Sequence, residues 1–172
     1  FHLDKESEAV EQFREARKLD ANALQPELAL ARLYDEDGKK DVAKKWIEAA
    51  MKASPEDSAV LLASAQWYLG QNDLKTATSI SEKALVLDSK SLEAKIVRGV
   101  VARVARDYAS AEKFFNEAHL QSPGNFPASN SLALVLIESE DKESQQRAVE
   151  MAEANVARTK AALGPDIASP AF

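Results

Sequence analysis

The chain contains no cysteine, which excludes a disulfide framework and thiolate chemistry and suits either the cytosol or the periplasm. It has two histidines, His2 and His119, neither with a nucleophile or a second metal ligand close by in sequence. A surface or packing role is therefore expected for both. There is no glycine-rich phosphate loop, and no pair of carboxylates stands in an apolar setting that would suit acid–base work. The run Asp35-Glu36-Asp37-Gly38-Lys39-Lys40-Asp41 has the acidic character of a calcium loop but lacks the downstream bidentate Glu. It reads as a solvated turn, as does the acidic run 138–143. No catalytic residue, cofactor site or metal site is expected, and the chain reads as non-enzymatic.

Positive charge is also in deficit. A formal charge of -6 gives no basic field to hold phosphates, so nucleic acid is not an expected partner. No apolar run approaches the roughly 20 residues of a membrane span, so direct membrane insertion is not expected. Five glycines and six prolines in 172 residues interrupt the chain rarely, and most of them fall at regular boundaries. No signal peptide is visible. The chain opens on Phe1, at a point where the internal pattern would already be half way through a unit, so a fragment lacking its N-terminal segment is expected.

What the chain does have is a period of 34 residues. Ala9, Ala43, Ala77 and Ala111 stand in one register, and so do Phe13, Ile47, Ser81 and Phe115. A third series is Ala16, Ala50, Ala84 and Ala118, and Pro55 and Pro123 close their units at a fourth place. A second half-unit repeats in parallel: Ala31, Ala65, Gly99 and Ala133, each followed three residues later by Tyr34, Tyr68, Ala102 and Leu136. Two antiparallel helices per unit explain this. Small residues let the helices approach, and a bulky residue one turn away fills the space beside them. In the last unit the alanine of the first series is Ala148, 37 residues after Ala111. The sequence thus predicts a three-residue insertion in the turn 138–143 and puts Asn155 where Ala118 stands one unit earlier.

A small residue, a large one, then Ala, an aromatic, Ala and Pro in strict order resembles the tetratricopeptide-repeat family, over nearly the whole chain. The resemblance implies an all-α, right-handed superhelical solenoid of antiparallel helix hairpins. The expected organisation is one array over 1–164, with units at 1–23 (truncated), 24–57, 58–91, 92–125 and 126–164, and a tail at 165–172. Helices are expected over about 5–19, 26–36, 41–53, 58–69, 73–87, 91–105, 108–121 and 125–138, with a last one after the turn 138–143 that carries Ala148 and Ala152 and runs to about 162.

The resemblance further implies that the first helix of each unit lines a concave groove. The lining would be Leu28, Leu62, Leu69, Ile96, Val100, Leu134 and Ile137, with Arg32, Gln66, Arg103 and Asn130 as polar contacts. An uncovered apolar strip of that kind marks a partner site for a peptide or an amphipathic helix. Some relatives grip a C-terminal carboxylate with Lys, Asn and Arg in this groove, and that clamp pattern is absent here. The alternative function is structural: the groove or the open repeat ends pack on another copy, giving a homo-oligomer, or on missing repeats. Lys95, Arg98, Ala102 and Arg106 follow a helical spacing and would line one face, so Lys95, Arg98 and Arg106 form a candidate anion site. The aromatics Tyr34, Trp46, Trp67, Tyr68, Phe114 and Phe115 read as core packing.

Overall fold

The computed structural model describes residues 3–20 and 25–163. They form helices only: α1 (Leu3–Leu19), α2 (Pro26–Glu36), α3 (Lys40–Ala53), α4 (Ser58–Gly70), α5 (Leu74–Leu87), α6 (Leu92–Val104), α7 (Tyr108–Gln121), α8 (Phe126–Ile137) and α9 (Lys142–Leu163). The described residues fall into two compact units that divide between Leu87 and Asp88. In the first, α2 pairs with α3 and α4 with α5, while α1 packs on α2 and α3 on α4. In the second, α6 pairs with α7 and α8 with α9, and α7 packs on α8. The expected helices are present with boundaries within two residues. The expected unit ends at 23 and 164 and the tail at 165–172 lie outside the described residues.

The small-residue series is the core of the hairpins. Ala43, Ala50, Ala65, Ala77, Ala84, Ala111 and Ala118 are fully buried. Tyr34, Tyr68 and Phe115 are buried beside them, whereas Trp46, Trp67 and Phe114 are half-buried. Size is traded between facing helices. In α6 and α7 the pair is Gly99 and Phe115: a Cβ built on Gly99 would lie 2.6 Å from the ring. The ring therefore occupies the volume that a side chain at 99 would need. In α4 and α5 the corresponding places hold Ala65 and Ser81. Ser81 is buried, and its hydroxyl donates to the Thr78 carbonyl at 2.9 Å, so the missing aromatic leaves no orphaned polar group.

The helix ends repeat as strictly as the core. Gly38, Asn72 and Arg106, 34 residues apart, all have positive φ (75°, 60° and 61°). After each, an amide reaches back to close the helix: Lys39 N–H to Tyr34, Asp73 N–H to Tyr68 and Asp107 N–H to Ala102, at 2.8–2.9 Å. Only glycine adopts this left-handed state without strain. The Cβ of Arg106 costs about 1–2 kcal/mol there, and glycine would return about 0.4–1 kcal/mol of that through a freer unfolded chain. Arg106→Gly is therefore expected to stabilise the second unit by about 0.5–1 kcal/mol. Chemical denaturation checks this, and an unchanged or lowered midpoint contradicts it.

One residue further on, Asp73, Asp107 and Asp141 form another 34-residue series. Each accepts the backbone N–H of the residue three places along: Thr76 at 3.1 Å, Ser110 at 3.1 Å and Ser144 at 2.8 Å. Because the cap of α9 keeps the period, the expected insertion in the preceding turn is corrected. The turn is the short stretch 138–141, and the three extra residues lie in the first turns of α9, between Ser144 and Ala148. They continue the helix because the Asp141 cap starts it before they arrive. Ala148 and Asn155 are buried, as Ala111 and Ala118 are.

The caps also set an acid limit. Hydrogen bonds from Thr76 to Asp73, from Ser110 to Asp107 and from Ser144 to Asp141 hold these carboxyls below their ordinary 3.8. A carboxyl lowered in the folded state contributes stability that is complete above its unfolded value. That contribution is lost as pH falls from 3.8 through the lowered value. The expected result is an acid unfolding limb beginning near pH 4 that becomes shallower in the Asp73→Asn, Asp107→Asn, Asp141→Asn triple variant, with helicity at pH 7 retained. Circular dichroism against pH measures it, and an unaltered limb would show that other carboxylates govern acid unfolding.

Candidate partner-binding site

The expected groove residues do not share one environment. In the first unit, Leu28 and Leu62 are buried, at 8% and 3% exposure, and are not part of an open strip. Each lies on the first helix of a hairpin, α2 or α4, whose apolar residues occupy most of its circumference. Such a helix buries more than one face. Leu69 is half-buried, while Arg32 and Gln66 are exposed. Arg32 donates through Nε to Glu36 at 2.8 Å on its own helix.

The acidic turn of this unit is a junction between hairpins. The Asp35 carboxylate accepts from Lys40 Nζ at 2.7 Å and from Trp67 Nε1 at 2.8 Å. Gln71 Nε2 reaches the same oxygen at 3.4 Å. Lys40, and then the indole N–H, lower the Asp35 carboxyl against the opposing effect of burial. The Trp67 ring meets Tyr68 edge-on, with centroids 5.1 Å apart. Among the described residues no group of three His, Asp or Glu could hold a metal ion.

In the second unit, Ile96 and Val100 are half-buried and pack against a core of Ala102, Ala111, Phe115, Leu132, Val135 and Leu136. Arg103 and Asn130 are half-buried, and Leu134 and Ile137 are exposed at 45% and 47%. These two flank an open, mostly apolar cavity of about 170 Å³. Its walls are Asn130, Ala133, Leu134 and Ile137 of α8 and Ala148, Val149 and Ala152 of α9. Sequence reasoning found the α8 half of this site and missed the α9 half. The signal was available: Ala152 stands where Phe115 stands one unit earlier, the loss of a whole ring.

The three cations of the candidate anion site are not presented on one helix face. Arg106 lies past the end of α6, in the left-handed turn that closes it. Arg98 is buried at 8%, with its guanidinium 5.3 Å from the Phe114 centroid, so it stacks on Phe114 rather than facing a ligand. Lys95 Nζ donates to Gln121 Oε1 at 2.7 Å. The i, i+3, i+7, i+11 spacing puts residues on one face only within a helix, and Arg106 lies outside α6. Of the histidines, His119 lies in the last turn of α7 and His2 lies outside the described residues. No helix among the described residues is long and apolar enough to cross a membrane.

Paired helices with a small-residue core, repeated at 34 residues and closed by the same turn, define a helical-repeat protein. No family model matches the sequence, and no curated protein matches it. Solved structures do. MamA is 16% identical, with a TM-score of 0.66 over 90% of this chain and 88% of that one. YrrB, described as a TPR protein with an unusual peptide-binding site, is 19% identical, with a TM-score of 0.65 over 90% of this chain and 78% of its own. The second TPR domain of human RPAP3, in complex with the HSP70 peptide SGPTIEEVD, is 21% identical, with a TM-score of 0.56 over 63% of this chain and 91% of its own. The chain has the fold of tetratricopeptide-repeat proteins.

Proposed function

We propose that this chain is a non-enzymatic protein–protein interaction module that binds a peptide or an amphipathic helix. The observation that carries this is the open apolar site of the second unit, where Leu134 and Ile137 stand half in water beside a cavity that the fold leaves unfilled. Exposed aliphatic side chains around a concavity are favourable only when a partner covers them. Two proteins of the same fold, YrrB and human RPAP3, are described with a peptide-binding site or a bound peptide, which supports the same use here. Half-buried Arg103 and Asn130 supply polar contacts that would orient the guest. The acidic net charge of -6 argues for a protein rather than a nucleic-acid partner.

Selection from a random peptide library on the immobilised chain tests this. Selected peptides are expected to bind at least tenfold more weakly to the Leu134→Glu, Ile137→Glu variant, whose helicity should be unchanged because both side chains already face water. Peptides that bind both proteins equally would place the site elsewhere. A library that yields no binder, together with concentration-dependent sedimentation of the wild type that the variant loses, would make this face a self-contact instead.

A further inference from the structure

The cavity between α8 and α9 has a shape that the preceding hairpin explains. In α6 and α7, Phe115 lies over Gly99 so closely that a Cβ on Gly99 would meet the ring at 2.6–2.9 Å. One unit later Gly99 becomes Ala133, and Phe115 becomes Ala152. The offset is fixed by the buried pairs Ala111 with Ala148 and Ala118 with Asn155. Ala133 and Ala152 both line the cavity. The hole therefore stands at the place in the last hairpin that an aromatic ring fills in the one before it. Its volume, about 170 Å³, is close to that of the apolar cavities of about 150 Å³ known to take up benzene.

Resting on the interaction-module reading above, we infer that this cavity is a receptor for one aromatic side chain, a phenylalanine-type ring, carried by a partner polypeptide. The ring enters between Ala133 and Ala152, and Leu134, Ile137 and Val149, each 44–47% exposed, close around its base. The site is specific for size. A methyl leaves most of the space empty, and a long aliphatic chain fills it without a flat face to match the small-residue walls. The contact is mostly apolar, so it contributes affinity through burial, and Asn130 is the one polar residue among those that line it.

The test uses the whole chain and two probes. Fluorobenzene, followed by 19F NMR line broadening, is expected to bind the wild type. It should not bind the Ala133→Gly, Ala152→Phe variant, which rebuilds the Gly99–Phe115 arrangement and fills the cavity from within. Val149→Glu provides a second variant that leaves the hairpin core untouched and should weaken the probe at least fivefold. Peptides selected on the wild type should carry an aromatic residue whose change to Ala weakens binding at least tenfold, and the filled variant should lose them to the same extent. Fluorobenzene binding equally to wild type and filled variant overturns the cavity assignment. Peptides that bind through the Leu134 and Ile137 surface with no aromatic requirement overturn the ring receptor while leaving the interaction module standing. Fluorobenzene binding that appears only after Phe172→Ala, or only in dilute protein, overturns the partner as source in favour of the chain's own Phe172 or of a second copy.

Discussion

Phe115→Ala is expected to destabilise the second unit by about 3–5 kcal/mol, a large share of the stability of a unit this size. The ring is fully buried in the core that also holds Ala102, Ala111, Leu132, Val135, Leu136 and Ala148. Removing it leaves a void whose wall is Gly99, a residue with no side chain to move into the space. Collapse of the site is therefore poor, and the upper end of the range applies. Urea denaturation followed by far-ultraviolet dichroism measures the loss. A change below about 1 kcal/mol would mean that the neighbouring helices close over the gap. The reciprocal change, Gly99→Ala, pushes a methyl to 2.6 Å from the same ring and is expected to cost about 1–3 kcal/mol. The ring is fully buried in the core with Leu132, Val135 and Leu136 and has no open space to swing into.

Leu62→Glu is expected to unfold the first unit. Leu62 is 3% exposed, and deletion of a buried leucine side chain alone costs about 2–5 kcal/mol. A carboxylate in its place adds the cost of desolvating a charge with no partner, which together exceeds what a small unit can lose. Circular dichroism should show a loss of helicity near half of the total, with the second unit retained. Leu134→Glu, on an exposed position, should leave the spectrum unchanged. Retained helicity in Leu62→Glu would return Leu62 to an open face and restore it as a partner contact. The two substitutions separate core from surface among leucines that the repeat pattern assigned to one groove.

Asp35 shows how much of the molecule the pattern left unsaid. Its acidic neighbours read as a solvated turn, yet its carboxylate gathers Lys40 from one helix and Trp67 and Gln71 from another. These partners are more than 30 residues away for the last two, and no local rule brings them to Asp35. The same is true of Gln25, a buried amide that donates to Ser54 and Asp57 across its hairpin.

The sequence by itself determined the helices, their pairing and their register. Each is set by residues close in the chain: small residues at fixed spacing, caps such as Asp107 and Asn125 at helix starts, and breakers at unit ends. It also named the α8 side of the candidate site, because place within a repeat is a local property. Only the tertiary structure decided which of those places face water. Leu62 and Ile96 occupy the same position in their units, 34 residues apart, yet one is 3% exposed and the other only half-buried. Exposure depends on what the neighbouring helices bring to the contact, and a periodic pattern does not encode that. The same holds for the cavity. A ring at 115 and a methyl at 152 are equal to a register count, but packed against Gly99 and Ala133 they make a filled core in one hairpin and an open one in the next.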